Sequence, residues 1–499
     1  MKKSLLSGLF WILLANLLVK PFWILGIEVG VQNTVGAEMY GFYFSIFNIS
    51  YIFNILLDLG ITNFNTRNIA QYPKLIDKYL PGILGIKLML VALYAVVTFS
   101  VGALLGYDST QFRLLAWLTL NQFLNSLLIY LRSNFEGLLL FKWDSLLSIM
   151  DRLVMILICG ALIWGPKMSL FDFQFNIFHF VYAQTAAYAI TAVIATTVLF
   201  HKTGVRRMHW NKPFTLAILK KSMPFALLVL LMACYNRLDP IMLQLLQPEG
   251  MGDHAAGIYA GAFRLLDALT MIAYLVSVPL LPIYSKLTKE FEKRRSRINS
   301  TTLADSKEIE SITRMMFSLI MVFAVTAACT LAALDKQLMN LFYNMHTDEY
   351  AAAFRIIIFC IIPISTTYVF GTLLTAAGRL KELNVFAASS LILNIATNII
   401  LIPRWGVAGS AVAAVGAQSF MAVAQVIAAV RYFHMDISWR YIIKLLSFTL
   451  LAIVTSIGVS RLEWQPAILI ATAAAVGMAL LLKLVNIKEL ITAIKSDNQ

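Results

Sequence analysis

Charge is scarce in this chain: 13% of its 499 residues are Asp, Glu, Lys or Arg, against about 25% in soluble domains. Cysteine is scarcer. Cys159, Cys234, Cys329 and Cys360 stand singly in apolar stretches, which excludes a disulfide framework and paired metal spacing and leaves them as small packing residues. Six histidines are scattered along the chain. No Walker loop, Rossmann glycine fingerprint or zinc spacing occurs, so no cofactor and no metal is expected, and the chain is not read as an enzyme. Long polar stretches are also missing. The longest, about 285–310, is rich in Lys, Arg and Glu but too short for a soluble domain.

What remains is apolar: 60% of the residues are hydrophobic. Windows of about 20 apolar residues match the roughly 30 Å hydrocarbon layer. Backbone groups in lipid must be satisfied internally, so these windows are helices; barrel strands would alternate apolar and polar residues. The expected fold is an all-α integral membrane protein of about 14 transmembrane helices. The first six are expected near 4–30, 38–60, 80–106, 111–139, 145–165 and 173–200. The next six lie near 217–247, 255–284, 311–334, 351–377, 383–402 and 407–432, and the last two near 441–460 and 465–485. Lys2 and Lys3 before the apolar run from Leu5 resemble a signal peptide, but the run continues toward Val31 without a suitable cleavage site, so it reads as an uncleaved first helix.

The formal net charge of +14 is topological rather than a nucleic-acid footprint, since no basic stretch could form a domain of its own. With the N-terminus placed in the cytoplasm, 28 of the 40 basic residues fall in cytoplasmic segments and five in outer loops. This positive-inside asymmetry supports the helix count and puts both termini in the cytoplasm.

Shifting the first two helices by 219 residues lays them on the seventh and eighth without a gap. Pro21 meets Pro240, Tyr40 meets Tyr259, Phe44 meets Phe263, and Lys20 meets Asp239. The implied division is a six-helix lobe at 1–215, a second at 216–435 that includes the basic loop, and two extra helices with a tail at 436–499. Pro21 and Pro240 are candidate kinks, and paired interruptions in two halves point to a central transport site.

An ionisable residue inside a membrane helix costs at least about 2.5–3.5 kcal/mol on the insertion scale, so it faces a partner or a cavity. Lys87, Arg132 and Glu136 lie near helix ends and are expected to snorkel to the interface. Asp58 caps its helix or pairs with a loop base, and Arg355 lies near an outer end. Asp151 and Arg152 reach either a cavity or a neighbouring carboxylate. Lys20, Arg237 and Arg264 sit deeper and form a candidate cationic substrate site, because a guanidinium fork grips phosphate oxygens bidentately. Asp239 and Asp267, each within a turn of an arginine, are either structural counter-charges or, with Glu28 and Asp58, acids for ion coupling. Asn16, Asn33, Asn48, Asn54, Tyr235 and Asn236 either meet sugar hydroxyls or bond between helices. The outer-loop run Phe342-Tyr343-Asn344-Met345-His346 reads as surface or interfacial structure.

Several stretches resemble a known family. They are Val35-Gly36-Ala37-Glu38-Met39-Tyr40-Gly41 running into Asp58-Leu59-Gly60-Ile61, Tyr235-Asn236-Arg237-Leu238-Asp239-Pro240-Ile241-Met242, and Gly257-Ile258-Tyr259-Ala260 leading to Pro279-Leu280-Leu281-Pro282. The Gly378-Arg379 turn and Gly406-Val407-Ala408-Gly409-Ser410-Ala411 also fit. The chain resembles the bacterial polysaccharide exporters, the lipid-linked oligosaccharide (O-antigen type) flippases of the multidrug/oligosaccharidyl-lipid/polysaccharide (MOP) superfamily. The resemblance implies two six-helix lobes around a central cavity in the bacterial inner membrane. It implies flipping of an undecaprenyl-pyrophosphate-linked repeat unit of O-antigen, capsule or exopolysaccharide by alternating access, coupled or not to a proton or sodium gradient. Its partners would be the lipid-linked oligosaccharide, membrane lipids, and a polysaccharide polymerase with other assembly proteins. Competing readings are a multidrug or cation antiporter of the same superfamily, a lipid II flippase, and a membrane glycosyltransferase or polymerase. Basic residues at mid-membrane argue against the first, and the lack of a sizeable outer loop argues against the last.

Overall fold

A computed structural model describes residues 21–62, 76–138, 140–169, 172–203, 227–277, 303–436 and 438–484, with isolated positions at 19, 65, 69, 280, 281, 283–285, 287, 288 and 291. The described residues are helical, joined by short turns. In chain order the helices are α1 (Val29–Val35, continuing a π-helical turn Trp23–Glu28), α2 (Ala37–Ile52), α3 (Ile76–Leu104), α4 (Ser109–Gly137), α5 (Phe141–Trp164) and α6 (Ile177–Thr203). Then come α7 (Leu227–Arg237), α8 (Asp239–Leu246), α9 (Gly252–Ser277), α10 (Leu303–Ala333), α11 (Asp335–Phe342), α12 (Thr347–Ile357), α13 (Ile361–Ala376), α14 (Leu380–Phe433), α15 (Trp439–Val459) and α16 (Trp464–Leu481).

Eleven described helices are long and apolar enough to cross a membrane, and α7 with α8 makes a twelfth if that bent pair is one span. α14 has 54 residues, about 80 Å at 1.5 Å per residue, more than twice a bilayer core. Gly406 breaks it with φ 56° and ψ −129°, at the expected division between 383–402 and 407–432. Only glycine adopts such a backbone readily. The first expected helix lies mostly outside the described residues, as do most of the basic loop, Pro279 and Pro282.

Both prolines named above sit beside departures from α geometry. The π-helical turn begins two residues after Pro21, and α7 and α8 meet at 47° around Leu238, just before Asp239-Pro240. A π-turn and a proline are standard causes of helix distortion.

The chain forms two compact units, Met1–Ala260 and Gly261–Gln499. The boundary between them falls within α9. The reason is a close crossing of α2 with the start of α9. A Cβ on Gly41 would lie 1.8 Å from the Asp253 carbonyl oxygen, and one on Gly257 would lie 1.9 Å from that of Ala37. The Gln32 amide donates to the Gly257 carbonyl at 2.7 Å, and the Ser45 hydroxyl donates to that of Pro240 at 3.3 Å. Small residues permit such backbone approach where lipid gives helices no hydrophobic drive to associate.

In the second unit the last two helices dock on α10 and α11 through a ladder of polar contacts. Arg314 donates to the Asp436 carbonyl at 2.8 Å. The Ser318 and Tyr441 hydroxyls are 2.8 Å apart, those of Thr330 and Ser456 3.3 Å apart, and Gln337 donates to the Leu462 carbonyl at 2.9 Å. Along α16, Ala467, Ala471, Ala475 and Ala479 are buried, a four-residue period that keeps one small-residue face inward. Tyr343 departs from the surface role expected for its segment. It is buried, stacks on Tyr350 with ring centroids 4.1 Å apart, and donates to the Gly261 carbonyl at 3.1 Å.

Gly41→Ala and Gly257→Ala should each destabilise the purified protein by roughly 1–3 kcal/mol through overpacking. Gly458, where a Cβ meets nothing within 4 Å, is the control: Gly458→Ala should be neutral or slightly stabilising. Thermal unfolding in detergent measures the difference.

Candidate functional site

In the first unit a polar and aromatic cluster forms where α1, α2, α4, α5 and α6 converge. Arg152, on α5, lies 3.6 Å from the Asp151 carboxylate. Its guanidinium stands 5.4 Å from the Trp23 ring and 6.0 Å from that of Tyr188. Trp23 donates its indole N–H to Glu28 at 3.1 Å. The π-helical turn places Trp23 and Glu28 five residues apart on one side of the chain. Trp23 stacks on Phe180, and Tyr43 meets Phe180 edge-on. Gln184 donates to the Tyr43 hydroxyl at 3.3 Å and accepts from Asn121 at 3.4 Å. Of the two reaches open to Arg152, the structure shows the carboxylate contact, reinforced by aromatic faces.

A second group follows the α7–α8 bend. Arg237 lies 4.9 Å from the Tyr51 ring of α2. Asp239 is 2% exposed and accepts the Tyr259 hydroxyl at 2.7 Å. Asn48 donates to the Phe44 carbonyl of its own helix at 2.6 Å, while Asn54 bonds Gln122 of α4, so among the polar candidates Asn54 joins helices.

Lys87 is a correction. Lys87 does not snorkel. It is 2% exposed, and its ammonium lies 3.1 Å from Asp58 Oδ1, so the partner of Asp58 is a helix lysine rather than a loop base. Asp58 also accepts from the Thr62 amide at 3.3 Å. Arg132 pairs with Asp144 at 2.8 Å, because α5 starts beside the end of α4.

In the second unit Arg264 is 4% exposed, one helical turn from Asp267 on α9. On α13 the Tyr368 ring lies 5.7 Å from that of Tyr274 on α9. Arg355 pairs with Asp335 at 2.6 Å. Lys20 and Asn16 lie outside the described residues.

The structure thus brings Trp23 to both Glu28 and Arg152 and Asp58 to Lys87, and seats Arg237 on Tyr51. Sequence reasoning missed Trp23, Tyr43 and Tyr188 as members of this cluster. Their only sequence signal is that Trp23 and Tyr43 lie on the first helix pair, whose repeat had already drawn attention.

The arrangement offers guanidinium groups among aromatic rings and amides, inside helices long enough to span a bilayer. Such groups bind anionic oxygens and stack on apolar or sugar faces. They include no nucleophile–base pair built for covalent chemistry among the described residues.

Sequence and structure comparisons fit this picture. A multidrug-resistance MATE family transporter of the MOP superfamily, in an inward-facing conformation, has a similar structure: TM-score 0.64 at 12% identity, covering 84% of this chain and 94% of that one. The lipid II flippase MurJ, in an inward closed conformation, gives a TM-score of 0.67 at 12% identity, covering 96% and 99%. A MOP superfamily transporter from Pyrococcus furiosus, described as having a binding pocket of reverse polarity, gives 0.58 at 13% identity, covering 87% and 96%. These likenesses show a shared fold. A sequence search against curated proteins finds no match. The profile of the polysaccharide biosynthesis protein family matches residues 5–288, more than half of the sequence, and the chain belongs to that family.

Proposed function

We propose that this protein is a flippase that carries an undecaprenyl-pyrophosphate-linked oligosaccharide across the bacterial inner membrane by alternating access. The observation that carries this reading is the set of arginines within membrane-spanning helices of a polysaccharide biosynthesis family member: Arg237 on the Tyr51 ring, Arg264 at 4% exposure, and Arg152 between Trp23 and Tyr188. A pyrophosphate needs dense positive charge, and a planar guanidinium meets two of its oxygens at once. Sugars need amides and aromatic faces, which surround Arg152. Lys20 joins the site in this reading, and the two six-helix lobes at 1–215 and 216–435 rock about it. Glu28, Asp239 and Asp267 are the acids through which an ion gradient would act, since Lys87 already holds Asp58. O-antigen, capsule and exopolysaccharide units share the pyrophosphate handle, so the cationic site serves any of them, and a polymerase would take the product.

Arg264→Ala and Arg237→Ala should each reduce flipping of lipid-linked oligosaccharide in proteoliposomes about ten- to hundred-fold, the loss of one charge-assisted contact of about 1.5–3 kcal/mol. Protein level must be matched first, because an unpaired buried charge costs about 3–5 kcal/mol. Arg→Lys at either position should also impair flipping, since a point charge does not reproduce the fork. Normal flipping by both alanine variants sinks the cationic-site reading. Drug resistance gained on expression and lost in Asp239→Asn would support a multidrug exporter instead.

Topology has its own test. Reporter fusions at the N-terminus, the basic loop near 285–310 and the C-terminus should all report cytoplasm, and fusions at Lys167 and Arg461 should report periplasm. A reversed pattern at any basic loop overturns the orientation.

A further inference from the structure

Helix α2 leaves α geometry before its span is complete. It ends at Ile52, a 3₁₀ stretch runs from Phe53 to Leu57, and Leu59 and Gly60 then take positive φ, 47° and 79°. A helix end leaves carbonyls without intrahelical partners, and in hydrocarbon each unanswered group costs several kcal/mol.

The partner comes from α3. The Lys87 ammonium donates to the Leu57 carbonyl at 3.0 Å, to Asp58 Oδ1 at 3.1 Å and to Ser126 Oγ at 2.8 Å. An ammonium has three hydrogens, and each meets one oxygen. Ser126 passes its own hydrogen to the Leu57 carbonyl at 3.2 Å, closing the ring. The Tyr130 ring lies 5.7 Å away on another side. Thr62 holds the Asp58 carboxylate from outside the shell through its amide and hydroxyl.

This shell contains a backbone carbonyl, a carboxylate and a hydroxyl, set at the negative end of a broken helix. That is the donor set with which discontinuous membrane helices hold a monovalent cation. Its radius of 2.8–3.1 Å exceeds the 2.3–2.6 Å of calcium and the 2.0–2.1 Å of magnesium, so it suits a large monovalent ion. We propose that Lys87 is a tethered cation: its ammonium fills a site sized for potassium or ammonium at the broken end of α2, so the break is held without an ion from solution. The proposal stands whatever the protein transports.

The test measures thermal unfolding of the full-length protein in detergent, in equal concentrations of KCl, NH₄Cl, NaCl and N-methylglucamine chloride. The wild type should not distinguish the four salts. Lys87→Ala vacates the shell and keeps its oxygens. Its unfolding temperature should be lowest in N-methylglucamine, rise saturably with K⁺ or NH₄⁺, and rise less with Na⁺. Adding Asp58→Asn should abolish that response, because a neutral shell no longer attracts a cation. A merely structural lysine would leave the variant equally unstable in every salt, and that result overturns the proposal. So does a Lys87→Ala protein as stable as wild type in N-methylglucamine, or a potassium response that survives Asp58→Asn. If Lys87→Ala does not accumulate even when KCl is present from membrane extraction onward, Lys87→Gln takes its place in the same comparison. Failure of both variants to accumulate in potassium also overturns the proposal.

Discussion

No water reaches a peptide group in the middle of a bilayer, so each departure from α-helical pairing must be answered by another part of the same chain. The described structure follows that constraint closely. Where α2 breaks after Ile52, a lysine from α3 and a serine from α4 meet the Leu57 carbonyl. Where α7 bends into α8, Ser45 meets the Pro240 carbonyl and Tyr259 meets the Asp239 carboxylate. Each break is therefore a point where a second helix must be near, which fixes neighbours as well as relieving the backbone.

The bases on apolar helices are answered in three ways. Arg355 and Arg132 contact carboxylates at 2.6 and 2.8 Å, which neutralises them locally. Lys87 sits in a closed shell of three oxygens. Arg152 and Arg237 lie against aromatic rings, and a ring attracts the face of a guanidinium rather than its in-plane N–H edge.

The helices were legible in the sequence because apolar runs of spanning length leave few alternatives. The expected spans at 80–106 and 111–139 correspond to Ile76–Leu104 and Ser109–Gly137, and even the division of α14 at Gly406 could be read from its glycine-rich opening. The partners of the buried charges were not legible. Depth in a helix says that Lys87 is expensive, but snorkelling and pairing look alike until α2 is seen to end early and bring Asp58 within reach. Likewise Trp23 and Arg152 are more than a hundred residues apart, and only the packing of the helices that carry them makes them neighbours. Tyr343 misled for a related reason: its loop position suggested a surface, but the missing side chain of Gly261 leaves room for Tyr343 and Tyr350 to pack.

The helices that cross most closely, α2 and α9, come from the segments the 219-residue shift aligns. Subtracting the 219-residue shift places Gly257 on position 38 and Asp253 on position 34, so α2 and α9 present nearly the same stretch to each other at their crossing. Tyr40 and Tyr259, equivalent under the shift, are both 1% exposed. Gly41 and Gly257 are small because each lies against the partner backbone, within 2 Å of where a Cβ would stand. Under the shift Gly41 corresponds to Ala260 and Gly257 to Glu38, so each glycine is set by the contact it makes rather than by the repeat: the two backbones touch only where the residue facing the other helix has no side chain to place between them.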